Sequence, residues 1–125
     1  MVQLTVRDIK GNTTMEVSTK SIDNCELVTV NGRIDSYSAP QLSESLIQIT
    51  NQNIYKIILD LGEVTYVSSA GLRVLIDIQK KCKRNDQGEV FLVNIPQRVY
   101  ETLELAGFVP LFKFYNNVPS ALAAL

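Results

Sequence analysis

The segment 55–61, YKIILDL, sets the tightest constraint on what this chain can fold into. Its apolar run Ile57-Ile58-Leu59 is too short for a typical helix and does not alternate with polar residues. That pattern suits a strand covered on both faces, and it marks 55–61 as the expected central strand of a sheet.

The flanking sequence alternates between strand and helix signals. Segments 15–19 and 26–34 (ELVTVNGRI) are rich in β-branched residues and are separated by the polar stretch 21–24, which predicts a hairpin. Over 38–50, Leu42, Leu46 and Ile49 recur at i, i+4 and i+7, and Pro40 sits where a first helical turn tolerates it. Over 70–83, Gly71, Leu75, Ile78 and Cys82 fall on one helical stripe, which ends in Lys80, Lys81, Lys83 and Arg84 beside the negative end of the helix dipole. A buried strand is expected at 90–93, a helix over 96–106 stopped by Gly107, and a short strand at 112–115 before a C-terminal helical turn.

Strands alternating with helices imply parallel pairing through right-handed crossovers, with the opening hairpin adding antiparallel character at one side. The expected fold class is α/β, a single domain with a mixed, mostly parallel β-sheet of four to five strands, about four helices and an N-terminal β-hairpin. The domain is expected over 15–125, with 1–14 a leading strand or a tail.

Charge and composition narrow the function classes. A length of 125 residues suits one domain with a real core. No stretch approaches the roughly 18 apolar residues of a membrane-spanning helix, so no membrane partner is expected. Twelve basic against 13 acidic side chains, with no basic run able to neutralise a row of phosphates, argue against nucleic acid. The chain has no histidine, the side chain most used for proton transfer and the commonest metal ligand. Catalysis would therefore have to rest on carboxylates, Lys or Tyr; no enzyme activity and no metal or other cofactor is expected. Cys25 and Cys82 lie far apart and outside any close Cys pair, so both are expected to be reduced, half-buried thiols. Arg7 and Asp8 interrupt the region where a secretory signal would need an apolar run, so a cytoplasmic location is expected.

In open α/β sheets, function gathers where strands end and the next helices begin. Two expected loops meet that description. In 64–72 (VTYVSSAGL), the tandem serines Ser68 and Ser69 stand at a helix start, where a hydroxyl caps free amides. The same amides and the positive end of the dipole favour an anion, so a phosphate on Ser69 fits there as well as a cap does. Ala70 and Gly71 would leave the hydroxyl open to another protein, although Gly71 is equally suited to close helix packing. In 32–40 (GRIDSYSAP), Asp35 or Ser38 caps the following helix. If the two loops adjoin, Asp35 also orients the Ser69 hydroxyl and repels a phosphate placed on it. A hydrolase with Ser69 as nucleophile lacks a histidine and the flanking pattern of a nucleophile elbow.

At these loops the chain resembles the STAS domain family, and within it the bacterial anti-sigma factor antagonists. Gly32-Arg33-Ile34-Asp35 with Ala39 and Leu42 is similar to the family's first loop and helix. Leu59-Asp60-Leu61, then Val64, Tyr66 and Ser68-Ser69-Ala70-Gly71-Leu72, is similar to its phosphorylation loop. The resemblance runs from about residue 15 to the end. It implies a non-enzymatic partner switch in which an anti-sigma factor of the GHKL serine kinase type phosphorylates Ser69. Only the unphosphorylated form would bind that kinase and free the sigma factor, and a PP2C-type phosphatase would reset it. Many members carry an acid where this chain has Ser68, which makes Ser68 the alternative acceptor. Val67, Leu72 and Arg73 are the expected partner contacts, Arg73 standing where a small residue is common. The same family also implies an alternative role, a non-catalytic scaffold or adaptor in a transport, lipid-export or stressosome-like assembly.

Overall fold

A computed structural model describes residues 15–125, so the strand or tail expected over 1–14 lies outside the described residues. The elements are β1 (Met15–Ile22), β2 (Cys25–Ile34), α1 (Ala39–Thr50), β3 (Lys56–Val67), α2 (Ser69–Lys83), β4 (Glu89–Val93), α3 (Gln97–Leu105), a 3-10 turn (Val109–Leu111), β5 (Lys113–Tyr115) and α4 (Val118–Ala123). The five strands lie side by side in sequence order, which puts β3 at the centre. β1 and β2 pair antiparallel, and every later pair is parallel. The expected fold class therefore holds: one mixed, mostly parallel sheet that opens with a hairpin.

Side-chain alternation along β3 explains how the layers are built. Ile57, Leu59 and Leu61 face a large core with Leu42 and Leu46 of α1, Leu75 and Ile78 of α2, and Val99 and Leu103 of α3. Ile58 points the other way, into a smaller cluster with Cys25, Phe91, Val93 and Ala121 of α4. Thus α1, α2 and α3 cover one face of the sheet and α4 covers part of the other. Each fully buried Leu or Ile here contributes about 1.5–3 kcal/mol relative to exposure.

Two boundaries differ from expectation. Ser21 and Ile22, read as turn residues, pair with Glu26 and Cys25 and leave Asp23-Asn24 as the turn. Asp23 takes φ 53°, a left-handed conformation that Asp tolerates in tight hairpins. The second difference bears on the site. Residues 64–67, expected in a loop, continue β3, because β2 runs alongside them with Asn31 opposite Glu63 and Ile34 opposite Val67. A single residue, Ser68, then joins β3 to α2.

Cys25 and Cys82 are free, and both are buried rather than half-buried. A thiol packs as a small hydrophobe, and burial pushes each up to about 11, so neither supplies thiolate near neutral pH. Among the described residues, no helix is long and apolar enough to cross a membrane.

Candidate functional site

The carboxyl ends of β2 and β3 finish level with each other, which brings the two loops together. Ile34 is paired with Val67, and the Ser68 N–H donates to the Ile34 carbonyl at 2.8 Å. α2 starts directly from this junction.

The tandem serines do different work. Ser68 keeps an extended backbone (φ −84°, ψ 174°), and its Oγ accepts the Gly71 N–H at 3.2 Å. It is the N-cap of α2, with its hydroxyl committed to a backbone amide that would otherwise lack a helical partner. Ser69 is the first helical residue, exposed, and its hydroxyl bonds to no described residue. One serine holds the helix end while the next presents a free hydroxyl.

Gly71 seats the helix. A Cβ at this position would lie 2.7 Å from Ile34 Cγ2 and 3.0 Å from both the Ile34 carbonyl oxygen and Val67 Cγ1. Side chain and backbone of two strands thus close off the space, so glycine allows the first turn of α2 to rest on the strand ends. We expect Gly71→Ala to lower the unfolding free energy by about 1–3 kcal/mol, as overpacking of a filled site does. Urea denaturation checks this, and a change below about 0.5 kcal/mol would show that the helix shifts freely.

The first loop is braced within itself. Asp35 Oδ1 accepts the N–H groups of Tyr37 at 3.0 Å and Ser38 at 2.9 Å. The buried Ser38 Oγ accepts the Asp35 N–H at 3.0 Å and donates to the Arg33 carbonyl at 2.7 Å. Ser38 occupies the N-cap position of α1 without a side-chain capping bond, so of the two expected caps it is Asp35 that receives the amides at the entrance to α1. These bonds, led by the Ser38 N–H, hold the Asp35 carboxyl below the usual carboxylate range. Asp35 makes no hydrogen bond to Ser69 in this arrangement; its Oδ1 instead serves amides two and three residues ahead in its own loop. What Asp35 adds to the site is negative charge at its rim, with Arg33 Nε 3.8 Å from Oδ2.

Two of the three expected partner contacts also move. Val67 and Leu72 are 4% and 8% exposed and belong to the main core. The inward phase of β3 claims Val67, and the apolar stripe of α2 claims Leu72. Arg73 is exposed, and Ala70 is half-buried. The sequence reading missed an aromatic platform beside the loops. The Arg33 guanidinium lies 4.3 Å over the Tyr66 ring, and Tyr37 and Tyr66 are 68% and 40% exposed. The signal for it is strand register, Arg33 opposite Tyr66, which periodicity within one segment does not carry.

Between the amino ends of α1 and α2 lies an open groove of about 500 Å³, walled by Pro40 and Ser43 on one side and by Ser69, Ala70 and Arg73 on the other. No described side chain makes a hydrogen bond to the Ser69 hydroxyl. Among the described residues, no group of three His, Cys, Asp or Glu is disposed to hold a metal ion. The chemistry available is that of an accessible hydroxyl on the positive end of a helix, framed by a groove and exposed aromatic rings.

The STAS domain family profile matches residues 16–121. BtrV of Bordetella bronchiseptica, provisionally named an anti-sigma factor antagonist, is 34% identical over 110 residues, which cover 88% of this chain and 94% of BtrV. The crystal structure of an anti-sigma factor antagonist from Mycobacterium paratuberculosis superposes with a TM-score of 0.80 at 21% identity, over 95% of this chain and 97% of that one. The Bacillus cell fate determinant SpoIIAA, solved in its phosphorylated form, superposes with a TM-score of 0.68 at 13% identity, over 86% of this chain and 97% of that one. At those identities the two structures speak to the fold.

Proposed function

This chain belongs to the STAS domain family, and from that premise we propose that it is an anti-sigma factor antagonist switched by phosphorylation of Ser69. In its unphosphorylated form it binds an anti-sigma factor of the GHKL serine kinase type and so frees a sigma factor. The kinase moves the γ-phosphoryl group of ATP to Ser69 Oγ, releasing ADP and the hydroxyl proton, and a PP2C-type phosphatase hydrolyses the ester to reset the switch. The chain itself performs no catalysis, and it works in the cytoplasm.

The observation that carries this reading is the division of labour between the serines. Ser68 spends its hydroxyl on the Gly71 amide, whereas Ser69 is exposed and unbonded one residue further on. A phosphate on Ser68 would have to be placed on the oxygen that already caps α2 at the Gly71 amide. On Ser69 it stands beside the helix's positive end and leaves the element intact. Similarity to BtrV supports the choice of partner class.

The docking surface on this reading is the exposed start of α2 with the groove beside it. Phosphorylation brings about −1.5 to −2 charges to the centre of that surface. It acts as a gate through electrostatics and hydration, with no refolding of the domain.

The test is to incubate the protein with candidate anti-sigma kinases and ATP and to map added phosphate by mass spectrometry in wild type, Ser69→Ala and Ser68→Ala. Phosphate is expected on Ser69 in the wild type and in Ser68→Ala, and to be lost in Ser69→Ala. Phosphate that persists in Ser69→Ala and disappears in Ser68→Ala would move the switch to Ser68.

A further inference from the structure

We propose that Arg73 is the internal counter-ion of the phosphate on Ser69, a role that rests on the phosphoserine reading above and adds the geometry of its off state. Ser69 and Arg73 are four residues apart on α2, and side chains at that spacing are neighbours on one helix face, with Cβ atoms roughly 5–6 Å apart. Both are exposed, and both line the groove between α1 and α2.

Arg73 is uncommitted. It makes no hydrogen bond or ion pair with any described residue, whereas Arg33 and Lys83 lie against Asp35 and Glu89. Nor is it within ion-pair distance of Asp77, four residues further along the same face. The other charged groups near the groove are Asp77 and, in the adjoining pocket further along α2, Lys80, Lys81 and Arg84. The groove's α1 wall, with Ser36, Ala39, Pro40 and Ser43, contributes none; Asp77 stands on the far side of Arg73, and Asp35 is held in its own loop. Among the described residues, Arg73 is the one cation that lines the groove.

An arginine so placed suits a phosphate, because its planar fork donates two parallel N–H bonds to two phosphate oxygens. The phosphate on Ser69 then folds along α2 toward Arg73, into the groove. Phosphorylation thus changes the docking surface twice, adding an anion and withdrawing the arginine that the unphosphorylated form offers to a partner.

The test dispenses with a kinase. Phosphoserine is installed at position 69 by genetic encoding, and its second ionisation is followed by phosphorus NMR in the otherwise wild-type chain and in Arg73→Ala and Arg73→Lys. An unperturbed phosphoserine ionises near pH 6. Its pKa is expected below that value with Arg73 present, to rise by roughly half a unit in Arg73→Ala, and to be intermediate in Arg73→Lys. The difference is also expected to shrink as salt is raised. Identical titrations with and without Arg73 would overturn the counter-ion role and leave the switch standing. Loss of the switch, by contrast, shows in the mapping experiment and leaves this titration unaffected. A merely structural Arg73 would shift the melting temperature without moving the phosphate's pKa.

Discussion

Ser69→Glu will bind its anti-sigma partner at least about 100-fold more weakly than wild type, a loss of roughly 2.7 kcal/mol, while Ser69→Ala will bind within a few-fold of it. The asymmetry follows from where Ser69 sits. Its hydroxyl bonds to no described residue, so removing it costs the folded chain no hydrogen bond and leaves no buried group unpaired. A carboxylate at the same point must be stripped of water when a partner closes over the start of α2, and an ion buried without a matched counter-charge costs several kcal/mol. Arg73 offsets part of that cost and tempers the effect of a single charge relative to a phosphate. Calorimetric titration of both variants against the kinase identified by phosphate mapping provides the check. Equal affinity for Ser69→Glu and wild type would place the docking surface elsewhere on the domain.

Gln79→Leu will lower the unfolding free energy by about 3 kcal/mol and the melting temperature by about 10 °C, without altering partner binding at the other end of α2. Gln79 is 3% exposed and uses its whole amide as a junction. Its Oε1 accepts the Val90 N–H at 2.9 Å, and its Nε2 donates to the Leu111 carbonyl at 2.8 Å and to Glu89 Oε2 at 3.0 Å. The side chain thereby ties α2 to the start of β4 and to the turn before β5. Leucine fills nearly the same volume but leaves the buried Val90 N–H and the part-buried Leu111 carbonyl without these partners. Each such group costs about 1–3 kcal/mol, which the added apolar burial only partly offsets. Urea denaturation of the two chains gives the difference. A value below about 1 kcal/mol would mean that water or a shifted main chain takes over these bonds.

The contrast between the two substitutions shows how α2 is divided. Its first turn is held by Ser68 and seated by Gly71, so the face that carries Ser69 and Arg73 is free for contact. Its later turns are locked by Gln79 and by the buried Leu75, Ile78 and Cys82. On the function proposed above, the exposed residues of the first turn would carry the exchange of partners, and the rest of the helix keeps that turn in place.

Much of this was legible along the chain. An apolar run of strand length implied a strand covered on both faces, and Ile57, Ile58 and Leu59 alternate between two cores as that requires. Helical spacing marked Leu42, Leu46 and Ile49 on α1 and Gly71, Leu75, Ile78 and Cys82 on α2, all of them buried. Tandem serines before a small-residue turn marked a helix start. These signals are local, because the period of side-chain direction is set by the backbone geometry of each element.

The tertiary structure decided what depends on register. β3 runs on to Val67 because β2 lies beside it, and that extra length makes Ser68 the cap and Ser69 the free hydroxyl. The same pairing stacks Arg33 on Tyr66, and packing draws Val67 and Leu72 inward from the surface where contacts with a partner were expected. Asp35 turned to its own loop, and Gln79, a polar residue that no periodicity would place inside, became a buried junction. Such choices are made between segments distant in sequence, by which groups find a hydrogen-bond partner or an apolar neighbour once the sheet has formed. The pattern within any one segment is compatible with more than one of them, and only the assembled sheet selects.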